Sequence, residues 1–283
     1  MLLLAWLTVS GWWSADATLP DWLGEAKALP YVAVYLAVLA CVCARRPNTF
    51  ERVLRAVVLA AVIGTLYSAA VFYAQAPWFA RLAYATAVYN ANEAATLNGA
   101  ALLLLTFHVL PASPHRWRRA TWAGCALVLL GGIALTGSRT PLVATLACLA
   151  LGLALRRQWR LLGVFGAAML ASGVLLTGGN AVRQALERGD SYRFAIWENY
   201  ALRVAKTPWL GEGLLTDETT VVTPSSPAAE PITFLHPHSV YLATALYGGV
   251  PALAMLLTLA ACALRQGWHG AARGEPAWLL VLT

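Results

Sequence analysis

Apolar residues along this chain fall into long unbroken blocks separated by short polar interruptions. Seven blocks stand out, at 28–44, 53–74, 92–110, 120–136, 140–155, 161–177 and 238–264, with two partial ones at 1–13 and 277–283. A helix needs about 17–25 such residues to cross the hydrocarbon core of a bilayer. The block 140–155 is marginal, but Arg156 and Arg157 extend its reach by snorkelling to the boundary. The blocks are continuously apolar, whereas the strands of a membrane barrel would alternate. The expectation is an all-α protein, a polytopic transmembrane helical bundle with one long loop containing short helices. Residues 1–177 hold a partial first helix and about six spans, 178–237 the long loop, and 238–283 the C-terminal helices. The apolar runs at both termini read as pieces of helices belonging to a longer protein.

Composition removes the soluble alternative. The chain is 59% hydrophobic and only 12% charged, against about 25% charged in a soluble domain. Charge then orients the bundle. With loops assigned alternately, one side collects 12 of the 20 Lys and Arg residues and only Glu51 and Glu275, a net +10. The other side holds the remaining 8 basic and 11 acidic residues, a net −3, and the two sum to the +7 of the whole chain. The positive-inside rule makes the first side cytoplasmic and places the 178–237 loop on the outer side of the membrane. The basic residues are split among four short loops, so they form no nucleic-acid patch. Trp12, Trp13, Trp22, Trp78, Trp197 and Trp209 fall on the outer side and Trp117, Trp122, Trp159 and Trp268 near the inner boundary, as interfacial belts require. The five cysteines lie in or beside apolar blocks and read as buried small hydrophobes.

The long loop divides in two. Asp190 or Ser191 can cap a helix running to about Lys206, which would put Arg193, Trp197, Tyr200 and Val204 on one face. Pro208, Gly211 and Gly213 end it, and 215–235, rich in Thr, Ser and Pro, reads as irregular and mobile. Asp217-Glu218 reads as a solvated pair. Three features then share one membrane side by parity: the turn Gly137-Ser138-Arg139-Thr140, the segment opening at Tyr192-Arg193-Phe194, and His236-Pro237-His238-Ser239 at the start of the last full span. Each has a plain structural reading beside a functional one. Arg139 can anchor a helix end among lipid phosphates, Arg193 can be a solvated loop charge, and His238 can be a helix-start residue. His236 reads as structural or incidental, and His108, His115 and His269 as incidental.

At these residues the chain resembles the superfamily of O-antigen ligases and O-antigen polymerases, bacterial envelope glycosyltransferases. Leu135-Thr136-Gly137-Ser138-Arg139 is similar to that family's turn motif. Arg193, Trp197 and Pro208-Trp209-Leu210-Gly211-Glu212-Gly213 are similar to its outer-loop motif, and His238-Ser239, Tyr241-Leu242 and Gly248-Gly249 to its histidine motif and trailing glycines. Tyr89-Asn90-Ala91-Asn92-Glu93 is similar to its Asn-rich element, with Ala91 where proline is more usual, and Ser239 stands where Asn is common.

The resemblance implies an enzyme that moves a glycan from undecaprenyl diphosphate to an acceptor hydroxyl at the periplasmic face, foremost an O-antigen ligase using lipid A-core as acceptor. Polymerase and protein O-oligosaccharyltransferase activities stay open, as does a polysaccharide or lipid transporter or flippase. It implies no cofactor and no metal. It gives Arg139 and Arg193 to the diphosphate, since guanidinium grips phosphate oxygens in a planar fork and keeps its charge. It gives His238 to the acceptor hydroxyl, since imidazole titrates near working pH. Asn92 and Trp197 join the two arginines as substrate-binding residues.

Overall fold

The computed structural model describes residues 1–283 except 16, 46, 79, 86–89, 114, 165, 168–191, 223–230 and 273–283. The elements in chain order are α1 (Leu2–Ser10), a 3₁₀ turn (Gly11–Trp13), α2 (Leu19–Ala26), α3 (Ala28–Arg45), α4 (Pro47–Tyr73) and α5 (Ala91–Leu104). A π-helical turn (Leu105–Val109) continues α5. Then come α6 (Arg116–Leu135), α7 (Arg139–Leu155), α8 (Arg193–Lys206), β1 (Thr220–Val222), β2 (Ile232–Phe234) and α9 (Val240–Ala272).

The fold is all-α and membrane-helical, with one two-stranded ribbon. Among the described residues three helices are long and apolar enough to cross a membrane: Thr49–Tyr73, Arg116–Leu135 and Val240–Gly270. The blocks at 28–44, 92–110 and 140–155 are also helical. Of these α7, at 17 residues, reaches only about 26 Å at 1.5 Å per residue, short of a ~30 Å core. The block 161–177 is helical at 161–164 and 166–167, and the rest of it lies outside the described residues. The cysteines depart from expectation. Cys41 and Cys262 are exposed and Cys125 and Cys148 partly so, because a helix with an apolar outer surface need not turn a small thiol inward.

The chain divides into two compact units. One comprises residues 42–182 and 263–283, the other 1–41 and 183–262. The core of the first is an aliphatic cluster from α4, α5, α6 and α7, including Val58, Leu102, Leu105, Leu129, Ile133 and Leu153, all essentially inaccessible. Small residues let these helices approach. A Cβ on Gly152 would stand 2.2 Å from the ring of Phe107 in the π turn, and one on Gly99 would stand 2.2 Å from the hydroxyl of Thr145. A polar triad is buried among them. Asn98 Nδ2 donates to Tyr84 Oη at 2.6 Å, Thr65 Oγ1 donates to Asn98 Oδ1 at 3.2 Å, and Thr65 Oγ1 and Tyr84 Oη lie 3.0 Å apart. Interhelical hydrogen bonds of this kind hold membrane bundles where lipid supplies no hydrophobic drive between helices.

The second unit is organised by a break in α9. Gly249 leaves helical geometry at φ 69°, ψ −168°, and Pro251 follows with no N–H to donate. The carbonyls of Leu246 and Tyr247 and the amide of Val250 thereby lose their helical partners. The segment after α8 replaces all three: Glu212 N donates to Leu246 O (2.6 Å), Gly213 N to Tyr247 O (3.0 Å), and Val250 N to Pro208 O (2.7 Å). The approach is too close for side chains, since a Cβ on Gly211 would meet Leu246 O at 2.4 Å and one on Gly249 would meet Trp209 O at 2.4 Å. Pro208–Gly213 is therefore a backbone splint across a broken helix, beyond the helix terminator expected from its glycines. Non-helical backbone at a membrane edge persists only where protein satisfies it. Trp6 Nε1 donates to Gly248 O (2.9 Å) and Trp13 Nε1 to Leu210 O (3.1 Å), so α1 secures the same joint.

Within 215–235 two short strands depart from the irregular chain expected, and 223–230 lie outside the described residues. Thr220, Val221 and Val222 pair antiparallel with Phe234, Thr233 and Ile232. Arg203 anchors the approach, donating through Nε to Glu212 Oε1 at 3.2 Å and to the carbonyl of Asp217 at 2.7 Å. Asp217 is not a free carboxylate. It accepts from Thr219 N and Thr219 Oγ1, both at 2.8 Å. The carboxylate of Glu218 accepts from the Tyr247 hydroxyl and its carbonyl from the Tyr200 hydroxyl. The hydrogen bonds from Arg203 hold the Glu212 carboxyl below its ordinary range.

Candidate functional site

The ribbon delivers one candidate residue and α8 the other. β2 ends at Phe234, and the chain runs through His236 and Pro237 to His238. His238 is not the first residue of the span. α9 begins at Val240, after Ser239, whose Oγ accepts weakly from Leu242 N at 3.4 Å. His238 stands before that cap with φ 51°, in the left-handed region, a conformation that histidine tolerates better than most residues. Tyr192, just before α8, has φ 61°. Asp190 and Ser191, the expected caps, lie outside the described residues. Two of the three non-glycine residues with positive φ among those described thus adjoin or are candidate site residues. Such strain clusters at functional sites.

Aromatic rings connect these points. The Tyr192 and Phe234 centroids are 6.3 Å apart, Phe234 and His238 6.2 Å, and His236 and His238 4.3 Å. Partial desolvation, then the neighbouring His236, then the charge of Arg193 hold the His238 imidazole below its ordinary pKa. These causes favour the neutral form of the ring. Arg193 is exposed at the start of α8, so its guanidinium faces outward from the packed side. That packed side is Ile196 and Tyr200, both fully buried against Val222 and Leu246, with Ala195, Trp197 and Val204 at the margin. The expected face is thus recovered in Tyr200 and Val204, with Ile196 as its unanticipated centre. Trp197 lies edge-on to Phe194 at 5.8 Å, and its buried Nε1 has no hydrogen-bond partner among the described residues. A satisfied indole is the rule in folded proteins.

The other unit holds the turn between α6 and α7. Gly137 takes φ 60°, a left-handed position glycine fills without strain. Thr136 and Ser138 are buried, and Arg139 opens α7 with an exposed side chain. The turn is clamped from one residue. Arg81 donates through Nε to the carbonyl of Thr136, and through Nη2 to Ser138 Oγ at 3.1 Å and to Asn92 Oδ1 at 3.2 Å. Ser138 Oγ in turn donates to Asn92 Oδ1 at 2.8 Å. Asn90 caps α5, accepting from Asn92 N at 2.9 Å. The Asn-rich element is therefore a helix cap whose next residue reaches the turn.

Arg193, Trp197 and His238 fall in one compact unit and Asn92 and Arg139 in the other. Within the first, Arg193 acts electrostatically on His238; within the second, Asn92 is bonded to the residue before Arg139. Two participants escape a reading of the sequence alone. His236 packs ring-to-ring against His238, which selects the structural reading over the incidental one. Arg81 was detectable in principle, being the one basic residue between Arg55 and Arg116, where an isolated cation calls for a partner.

These features define a class: a polytopic helical membrane protein whose loop-borne arginines and histidine are held by capped turns and a splinted helix. A family model described as O-antigen ligase matches residues 123–257, which contain Arg139, Arg193 and His238. The chain is 32% identical over 228 residues to an O-antigen ligase of Pseudomonas aeruginosa, covering 79% of this chain and 53% of that protein. It spans about half the length of that curated relative. No solved structure matches. These two likenesses support the O-antigen ligase superfamily for this chain.

Proposed function

We propose that the protein transfers a glycan from undecaprenyl diphosphate to an acceptor hydroxyl at the periplasmic face of the inner membrane, as an O-antigen ligase with lipid A-core as acceptor. The observation that carries this reading is His238, held in left-handed backbone against the Phe234 and His236 rings and within electrostatic reach of Arg193, inside the region that matches the ligase family. His238 accepts the proton of the acceptor hydroxyl. The freed oxygen attacks the anomeric carbon of the donor sugar, and the bond from that carbon to the diphosphate oxygen breaks. The bonding pair leaves with undecaprenyl diphosphate. Arg193 and Arg139 are the cations assigned to its charge, through bidentate hydrogen bonds stronger than neutral ones. Asn92 and Trp197 contact substrate, the indole N–H of Trp197 being an unused donor.

The test is the lipopolysaccharide profile of a strain lacking the gene, complemented with wild type or with His238→Asn. Bare lipid A-core with accumulated lipid-linked polymer, restored by wild type and not by the variant, supports the ligase. A single attached repeat unit would identify a polymerase. Lost protein glycosylation with an unchanged lipopolysaccharide profile would identify a protein glycosylating enzyme, and donor lipid held at the cytoplasmic face would identify a flippase.

A further inference from the structure

The 42–182 unit contains a second basic locality that the transfer chemistry does not use. A pocket of about 350 Å³ lies where α4 and α6 begin, lined by Arg55, Ser113, Trp117, Arg118, Thr121 and Trp122. Both helices are long and apolar enough to cross a membrane, and both start on the side that carries the basic loops. The pocket therefore sits at a bilayer boundary and combines two arginines with two tryptophans there.

Its donors are unevenly committed. The hydroxyl of Ser113 already donates to Val109 O (2.8 Å), and that of Thr121 to Trp117 O (3.1 Å). Arg55 gives one terminal nitrogen to Glu51 at 2.5 Å, while its Nε is buried with no hydrogen-bond partner among the described residues. Arg118 lies over the Trp117 ring, 5.2 Å from its centroid, in a contact that fixes a cation without using its N–H groups. A guanidinium N–H withdrawn from water and left unpaired is costly. An anionic oxygen acceptor in the pocket would relieve that cost and add a charge-assisted bond.

We propose that this pocket binds the phosphate headgroup of an anionic phospholipid from the leaflet on the basic-loop side. A phosphate monoanion supplies acceptor oxygens to Arg55 and Arg118. The indole rings of Trp117 and Trp122 line the rest, where glycerol and the first acyl carbons would lie. Free phosphate shares the first part of this chemistry and not the second. Basic pockets between membrane helices are suited to such headgroups.

The experiment is native mass spectrometry of the full-length protein, released from nanodiscs of phosphatidylglycerol mixed with phosphatidylcholine. Wild type is expected to retain phosphatidylglycerol selectively. Arg55→Gln with Arg118→Gln should retain it about thirtyfold less well, the consequence of removing two basic contacts at an anionic surface. Arg157→Gln with Arg160→Gln, which removes two charges outside the pocket, should leave retention unchanged. Equal retention of both lipids, or an equal loss in both double variants, would overturn the pocket in favour of diffuse charge. Displacement of the lipid by millimolar inorganic phosphate would overturn the lipid assignment in favour of a simple anion site. If the Arg55/Arg118 double variant fails to fold, Trp117→Ala provides the second arm. Reduced selectivity there supports the proposal, and unchanged selectivity counts against it.

Discussion

The two arginine-bearing regions are built by opposite means. Around Arg139 the chain is fixed by hydrogen bonds to one side chain: Arg81 reaches the Thr136 carbonyl, the Ser138 hydroxyl and the Asn92 amide. Around Arg193 and His238 the chain is set by other means. Its position comes from left-handed backbone at Tyr192 and His238, a row of rings, and a splinted break in α9. In both regions the candidate arginine is exposed, and among the described residues neighbouring groups absorb the local hydrogen-bonding demand. Preorganisation of this kind spares reorganisation when charge develops on a leaving group.

The comparison breaks first at the residues proposed to react. His238→Asn keeps a side chain that tolerates the left-handed backbone and removes the base. Transfer by the full-length protein is expected to fall by about 10²–10⁴, with donor-lipid binding retained. Full transfer would remove the histidine from the chemistry, and lost donor binding would place it on the diphosphate. Arg139→Lys is expected to lose ~10²–10³ in rate at equal protein level, because one ammonium cannot reproduce a bidentate grip. Near-normal transfer would make Arg139 a lipid anchor.

Smaller effects separate the two supports. Arg81→Lys keeps a charge but cannot span three acceptors at once, and misplacement of the turn should cost up to about 10²-fold in transfer. The loss should appear in kcat more than in donor affinity, and a pure affinity loss would show that Arg81 itself meets the donor. Gly249→Ala forces a Cβ into Trp209 O at 2.4 Å with φ at 69°. That strain should destabilise the 1–41 and 183–262 unit by about 1–3 kcal/mol, seen as a lower thermal midpoint in detergent. Gly131→Ala, where a Cβ meets nothing within 4 Å, is the matched control. The smallest effect is in pH. His238 has its pKa lowered in the folded protein, so the neutral base persists below about 6.5 and transfer should fall only as pH drops through the depressed value. Arg193→Gln removes one cause of the depression and should move that acidic limb upward in the residual activity. His236→Ala should move it the same way, with a milder loss of rate than His238→Asn. An unmoved limb in both would detach His238 from the observed titration.

The sequence by itself determined the membrane class, the helical fold and the locations of the motifs. Long apolar blocks have few physical solutions, and α4, α6 and α9 lie where the blocks at 53–74, 120–136 and 238–264 place them. Arg139, Arg193 and His238 stood out as candidates for a related reason, since charged or titratable residues beside apolar blocks are conspicuous in a chain that is only 12% charged. The tertiary structure alone decided what supports them. Pro208–Gly213 read as a helix terminator because its glycines are local signals, while the carbonyls it satisfies belong to residues 246 and 247, far along the chain. Asp217 is exposed as expected, whereas Glu218 read as solvated because its partners, Tyr200 and Tyr247, arrive from other elements. The ribbon at 220–222 and 232–234 was hidden because three-residue strands carry too little periodicity to register. Arg81 and His236 were passed over because their contacts depend on where the turn at 136–138 and the backbone at His238 bring them. Burial of apolar surface follows from composition along the chain, whereas hydrogen-bond partners and ring contacts depend on which distant residues the fold makes neighbours.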